Sequence, residues 1–247
     1  MADPRSLTSV VFVTGTGTEI GKTVATAALA AVVRERGSSV AVVKPAQTGL
    51  EPGEPGDVDE VRRLAGDDIV AHELVRLRDP LSPEAAARRA GVTLPPVAVH
   101  ARRIGEIAAE SEVVFVEGSG GLLVRLDSRG GTLADLAAGL RYKGIGAGMV
   151  LVASAGLGTL SAAALTAEAL AVRSLPLLGV VIGSWPSEPG LAEDSNLIDL
   201  PRVTGAPLWG AIPDGAGGLT GEQFRAGVRD RFDLHRPPCL LRDLIAL

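Results

Sequence analysis

The sequence predicts an α/β fold, with helices on both faces of a doubly wound, mostly parallel sheet, all in a single domain over residues 1–247. Three observations carry this. Short β-branched runs alternate with Ala- and Leu-rich segments of helical length along most of the chain. The runs are almost continuously apolar, as strands covered on both faces must be. Apolar residues make up 46% of the chain and aromatic residues 3%, which favours aliphatic strands under Ala-rich helices over an aromatic-rich sandwich.

Residues 9–14 (SVVFVT) form the first strand and stop at glycines. Residues 22–36 are Ala-rich and form a helix that Gly37 ends, and residues 39–44 (SVAVVK) form a second strand ended by Pro45. This strand–loop–helix–strand order builds parallel sheets. Residues 47–56, with two prolines and three glycines, read as a loop. Helices follow at 57–65, at 82–90 with Ser82 as cap and Pro83 in the first turn, and at 96–111. Residues 112–116 (EVVFV) form a strand that runs into Glu117-Gly-Ser-Gly-Gly. Then come a helix at 132–140, a strand at 149–153, a helix at 159–173, a strand at 177–182, a helix at 190–203 and a strand at 208–212. The tail after Asp214 is weakly patterned. There is no internal repeat and no linker.

Several function classes are excluded early. The net charge is −5 with no basic stripe, which argues against nucleic-acid binding. One cysteine, Cys239, allows neither an internal disulfide nor a multi-cysteine metal site. No apolar stretch reaches membrane-spanning length, residues 146–156 included, and the N-terminal MADPRSLTS lacks the apolar core of a signal peptide. A cytoplasmic protein without a membrane partner is expected. His72, His100 and His235 are scattered without metal-ligand spacing and read as surface residues.

In a doubly wound sheet, ligands gather beyond the carboxyl ends of the strands. That directs attention to residues 14–23, 44–49, 117–121, 153–160 and 183–186. GTGTEIGKT at 15–23 follows a strand and opens a helix. Glycines let the backbone wrap a polyphosphate, and the first amide groups of the helix face it. This is a phosphate-binding loop: Gly17, Thr18, Glu19, Ile20, Gly21 and Val24 line the nucleotide, Lys22 reaches the β- and γ-phosphates, and Thr23 offers a hydroxyl to Mg²⁺. Five residues separate Gly15 from Gly21, where the common motif has four. Mg²⁺ beside phosphates takes oxygen ligands. Glu117 closes an apolar strand, an expensive place for a carboxylate unless a cation meets it. Asp57 and Asp59 are further candidates, though acids at a helix start also serve the helix dipole. Lys44 ends the second strand at the ligand edge and suits charge stabilisation, with Thr48 and Gly49 in a tight loop beside it.

Four features now stand together: GTGTEIGKT, Lys44-Pro-Ala-Gln-Thr-Gly49, Val116-Glu-Gly-Ser-Gly-Gly121 and Gly156-Leu-Gly-Thr159. In this order the set closely resembles the dethiobiotin synthetase family, over about Val11 to Pro213. The resemblance implies a single P-loop NTPase-type domain and a ligase that closes a cyclic urea on 7,8-diaminopelargonate with CO₂ or bicarbonate and ATP. A substrate amine takes up CO₂ as a carbamate. The carbamate attacks the γ-phosphoryl group to give a carbamic–phosphoric anhydride. The second amine then closes the ring and expels phosphate. The resemblance makes Lys44, Lys22 and Thr18 catalytic. It assigns Mg²⁺ to Thr23, Asp57 and Glu117. It sets the diamine against Thr18, Lys44, Thr48 and the backbone of Glu117, Gly118, Ser119, Gly120 and Gly121.

The resemblance also implies a homodimer in which the loop at 156–161 reaches the partner's substrate, with Ser161 where many relatives carry Asn. Many relatives place Asn-Asp after the strand ending at Ile182 to read adenine. Here Gly183-Ser184-Trp185-Pro186 stands instead. Looser nucleotide choice is expected, with CTP or another nucleoside triphosphate accepted and recognition left to backbone near Gly183, Pro213, Asp214 and Gly215. Three rivals stand beside this reading. A partition-type ATPase switch usually carries an extra lysine early in its loop, and residues 15–19 contain none. A cobyrinate-type amide synthetase would need a glutaminase domain. A nonenzymatic nucleotide-binding paralogue stays open as a rival, with Lys22, Lys44 and Glu117 all present as catalysis would require.

Overall fold

In the computed structural model, which describes residues 9–231, the chain runs β1 (Val10–Gly15), α1 (Lys22–Glu35), β2 (Val40–Lys44), β3 (Gln47–Thr48), α2 (Asp57–Ala65), β4 (Val70–Glu73), β5 (Arg76–Leu77), α3 (Pro83–Ala90), α4 (Val97–Ala108), β6 (Val113–Gly121), α5 (Leu133–Tyr142), β7 (Ala147–Ala153), α6 (Thr159–Val172), β8 (Leu177–Trp185), α7 (Leu191–Thr204), β9 (Leu208–Pro213) and α8 (Gly221–Arg231). Seven strands form one sheet in the order β4-β2-β6-β1-β7-β8-β9, with every pairing parallel. β3 and β5 form a separate parallel pair.

The period of two along each strand sends alternate side chains to opposite layers. Val11 and Val13 of β1 pack under α1 with Val58, Val61 and Leu64 of α2 and Phe224 of α8. Val10 and Phe12 face the other layer, with Ala101 and Ile104 of α4 and Leu133 to Leu140 of α5. Leu151 and Ala153 of β7 meet Ala163 of α6 and Leu200 of α7. Phe12 and Ile104 are fully buried, and truncating either to alanine costs about 2–5 kcal/mol. The strand ends that carry the site therefore sit on a rigid frame.

Local chemistry fixes several boundaries. Thr132 caps α5: its Oγ1 accepts the Asp135 N–H at 3.3 Å while Asp135 Oδ2 accepts the Thr132 N–H at 2.9 Å. Asp127 is buried, and it accepts N–H bonds from Val97, Arg129 and Gly131 at 2.8, 2.8 and 2.9 Å, tying the start of α4 to the turn before α5.

The structure departs from the sequence reading in several places. The loop at 47–56 begins with a strand residue pair, β3. The edge strand β4, the short strand β5 that pairs with β3, and the helix α8 were not expected. Residues 118–121 continue β6, because Gly15 and Gly121 pair across β1 and β6 with no side chain between them. The helix expected at 96–111 ends at Ala108, and Ser82 takes the cap position of α3 without a side-chain capping bond. His100 is not a surface residue: it is buried on the inner face of α4, and His72 is half-buried in β4. His235 and Cys239 lie outside the described residues. No helix among the described residues is long and apolar enough to cross a membrane.

Candidate active site

The phosphate loop leaves β1 at Gly15 and enters α1 at Lys22. Gly21, before the first turn, has a left-handed backbone (φ 85°) and no side chain to cap the helix. The first amides of α1 therefore point at the loop with the positive end of the helix dipole behind them. The loop rests on the end of β8. A Cβ on Gly21 would lie 2.2 Å from the Gly183 carbonyl oxygen, and one on Gly183 would lie 1.9 Å from the Ile20 carbonyl oxygen. Gly183 is thus a glycine for a packing reason: the phosphate loop occupies the place its side chain would take.

Strand register brings the charged residues together. Val43 of β2 pairs with Val116 of β6, so Lys44 and Glu117 are the next residues on adjacent strands. Val13 of β1 pairs with Glu117. Lys44 and Glu117 therefore share the sheet face that α1 covers, at the end where α1 begins. Lys44 Nζ lies 2.9 Å from Glu117 Oε1, 2.5 Å from Asp57 Oδ2 and 3.2 Å from the Gly118 carbonyl oxygen. Thr23 Oγ1 donates to the same Glu117 Oε1 at 2.9 Å. Lys22 Nζ donates to the Gly17 carbonyl oxygen at 2.7 Å. Asp57 and Asp59 are now told apart. Asp59 is exposed and accepts the Gly56 N–H at 2.9 Å, while Asp57 turns inward to Lys44.

Burial governs the electrostatics. Lys44 is 4% exposed and Glu117 1%. Burial works to lower the Lys44 pKa, yet Glu117 and Asp57 outweigh it and hold Lys44 above the usual lysine range. Burial lowers Lys22, and Lys44 adds to that against the pull of Glu117. Burial pushes Glu117 up, with Asp57 adding to it, against Lys44 and Thr23. Glu117 Oε2 is buried with no hydrogen-bond partner among the described residues. A buried carboxylate oxygen left open beside a hydroxyl and a second carboxylate is a hard oxygen set, and it fits Mg²⁺. Among the described residues no three His, Cys, Asp or Glu side chains converge, so the oxygens are limited to two carboxylates and Thr23.

The remaining expected residues fall in two groups: Thr18, Thr48 and Ser119 near the ends of β1, β3 and β6, and Pro213, Asp214 and Gly215 at the end of β9, beyond β1, β7 and β8 in the sheet. Thr18 is exposed on the loop, its Oγ1 3.6 Å from where a Cβ of Gly120 would stand. Thr48 is half-buried in β3, and Ser119 Oγ ties the end of β6 to the Ala46 carbonyl oxygen at 2.7 Å. Pro213 ends β9. The Asp214 N–H donates to the Trp185 carbonyl oxygen at 2.7 Å, and Asp214 Oδ1 accepts Ser184 Oγ at 2.9 Å and the Gly215 N–H at 3.0 Å. A cavity of about 400 Å³ opens beside Pro213, Asp214 and Gly215, walled by Ala28, Phe224 and Val228. Two contributors escaped the sequence reading. Ser184 holds Asp214, and the Gln47 side chain accepts the Asp57 N–H at 3.0 Å. A polar residue at a strand end was the only signal for either.

Residues 9–217 match the family model for an AAA domain. The chain is 56% identical over 225 residues to the ATP-dependent dethiobiotin synthetase BioD of Parafrankia sp. (strain EAN1pec), covering 91% of this chain and 92% of that one. It is 56% identical over 222 residues to the protein of the same name from Streptomyces avermitilis, covering 89% and 90%, and 51% identical to that of Rhodococcus jostii, covering 91% and 95%. Among solved structures, the Pyrococcus furiosus cell division ATPase MinD superposes with a TM-score of 0.58 at 17% identity, covering 91% of this chain and 98% of that one. A ParA family ATPase from Chlorobium tepidum TLS gives 0.57 at 12%, covering 97% of each chain. At such identities the likeness extends to the fold alone.

Proposed function

The chain belongs to the family of ATP-dependent dethiobiotin synthetases, and we propose that its ring closure is organised around Lys44 and Glu117. The reaction is an ATP-driven C–N ligation that yields dethiobiotin. Its substrates are read as 7,8-diaminopelargonate, CO₂ or bicarbonate, and a nucleoside triphosphate. The observation that carries the proposal is the Lys44 ammonium bridging Asp57 and Glu117, with Thr23 on the same Glu117 oxygen.

Phosphoryl transfer of this kind is mostly positioning and charge stabilisation. Lys22 and the first amides of α1 hold the β- and γ-phosphates. Lys44, kept protonated by its two carboxylates, stabilises charge on the carbamate oxygen as it meets the γ-phosphoryl group. Thr18, Thr48 and the backbone from Glu117 to Gly121 hold the diamine. Thr23, Asp57 and Glu117 would hold Mg²⁺, which when bound neutralises phosphate charge. ATP is the co-substrate. CTP or another triphosphate is accepted, because Gly183 lies against the phosphate loop and offers no side chain to a base. Pro213, Asp214 and Gly215, braced by Ser184, stand nearest the base.

A cytoplasmic homodimer is the working assembly. Leu157 in the loop before α6, Leu165 in α6, and Leu191 and Ile198 in α7 are exposed, at 91%, 64%, 91% and 63%, and such apolar side chains suit contact with a second copy. Ser161 is exposed in the first turn of α6. The metal assignment is tested by titrating Mg²⁺ against turnover. Glu117→Ala and Asp57→Asn should both raise the Mg²⁺ needed for half-maximal rate, and an unchanged titration removes that residue from the ligand set.

A further inference from the structure

Asp57 opens α2 at the end of residues 49–56, a loop of two prolines and three glycines with no helix or strand of its own. Such a loop does not by itself place a carboxylate to within the fraction of an ångström that a ligand needs. What closes it is a side chain twenty positions further along. Arg76 Nη1 donates to the carbonyl oxygens of Glu51 and Glu54, at 2.9 and 2.6 Å. Its Nε and Nη2 grip both oxygens of Glu73, at 2.6 and 2.7 Å. The pair is sheltered, with side chains 21% and 18% exposed.

The grip is referred directly to the site. Glu73 is the register partner of Lys44 across β2 and β4, and Arg76 that of Gln47 across β3 and β5. Gln47, buried, receives the Asp57 N–H and so caps α2 from outside the helix. Gly56, immediately before Asp57, lies flat against this group. A Cβ there would stand 2.7 Å from Glu73 Oε2, 3.0 Å from Arg76 Nη2 and 3.3 Å from Gln47 Oε1. Its backbone (φ −97°, ψ −177°) suits any residue, so an added side chain would act here by displacing these three side-chain ends.

We infer that Arg76, braced by Glu73, is a positioning residue that sets where the Asp57 carboxylate stands and thereby tunes divalent-cation binding at the phosphate site. The inference rests on the reading of Asp57 as a metal ligand. Partners that orient metal ligands are worth about 10–100-fold in affinity. Lysine cannot replace the arginine fully, because one ammonium cannot grip two carbonyls and a carboxylate in a planar fork.

The test uses the full chain with ADP and Mn²⁺, reading bound Mn²⁺ by electron paramagnetic resonance, alongside melting and the KM for the diamine. Arg76→Ala should weaken Mn²⁺ by about tenfold and leave the KM for the diamine unchanged. Arg76→Lys should fall between it and the wild type. Gly56→Ala should reproduce the loss with the arginine still present, because its Cβ displaces the Glu73–Arg76 pair, and decides the matter if Arg76→Ala does not fold. Asp57→Asn serves as the reference. If it weakens Mn²⁺ while Arg76→Ala and Gly56→Ala bind normally, the positioning role is overturned. If Asp57→Asn itself binds normally, the metal reading of Asp57 falls and the inference falls with it.

Discussion

Lys44→Ala removes the cation that, among the described residues, pairs with both Asp57 and Glu117, and the structure lets its two consequences be separated. The first is stability. Glu117 is 1% exposed and would be left with only the Thr23 hydroxyl on Oε1. Breaking a buried pair by removing one partner costs about 3–5 kcal/mol, chiefly because the surviving charge stays buried. Asp57, a third exposed, can turn to water and adds little. The second consequence is catalytic. Losing one charge contact to the transition state costs about a hundredfold in kcat, near 2.7 kcal/mol.

The double variant Lys44→Ala/Glu117→Gln pulls these apart. A neutral amide replaces the orphaned carboxylate, so much of the lost stability returns while turnover stays low. Urea unfolding followed by circular dichroism gives the first quantity, and dethiobiotin formation by mass spectrometry the second. A Lys44→Ala enzyme that turns over like the wild type refutes the catalytic role. A double variant no more stable than the single one refutes the reasoning about buried charge.

Two further outcomes are expected. Burial holds His100 below the usual histidine value of 6.5, with nearby Asp127 opposing. The fold keeps it neutral while the unfolded chain takes up a proton, so the stability it contributes is complete above about pH 6.5 and falls as the pH drops through and below that value. Urea midpoints for the wild type and His100→Leu across this window should show a flatter decline in the variant, and parallel declines would refute the assignment. Gly183→Ala should cost about 1–3 kcal/mol through overpacking and raise the KM for ATP, since its Cβ meets the Ile20 carbonyl; wild-type stability and KM would show that the loop has room.

Much of this was legible in the sequence because it was local. The phosphate loop, α1, α2 and the strands that end at Lys44 and before Glu117 all announce themselves by apolar runs, glycines and flanking turns. The edge strand β4 reads VAHE, too polar and too short for the same signal. β3 and β5 are two residues each and exist only because they find each other. Glycines at 118–121 looked like a loop, and close approach to β1 made them strand. Asp57 and Asp59 could not be separated by spacing, since both suit a helix start; the direction to Lys44 separated them. Arg76 was invisible for a related reason. Its role lies in register partners and loop carbonyls, which are set by the folded backbone and leave no mark in composition. The missing side chain at Gly183 was noticed, but its cause, the backbone of Ile20 and Gly21, lay in a segment more than 160 positions away.

The most direct test of the proposed ring closure is one incubation of the purified chain with 7,8-diaminopelargonate, bicarbonate, Mg²⁺ and ATP, followed by mass spectrometry. Dethiobiotin should form with stoichiometric phosphate release, abolished when either Mg²⁺ or the diamine is left out. Nucleotide binding or hydrolysis without dethiobiotin would contradict it.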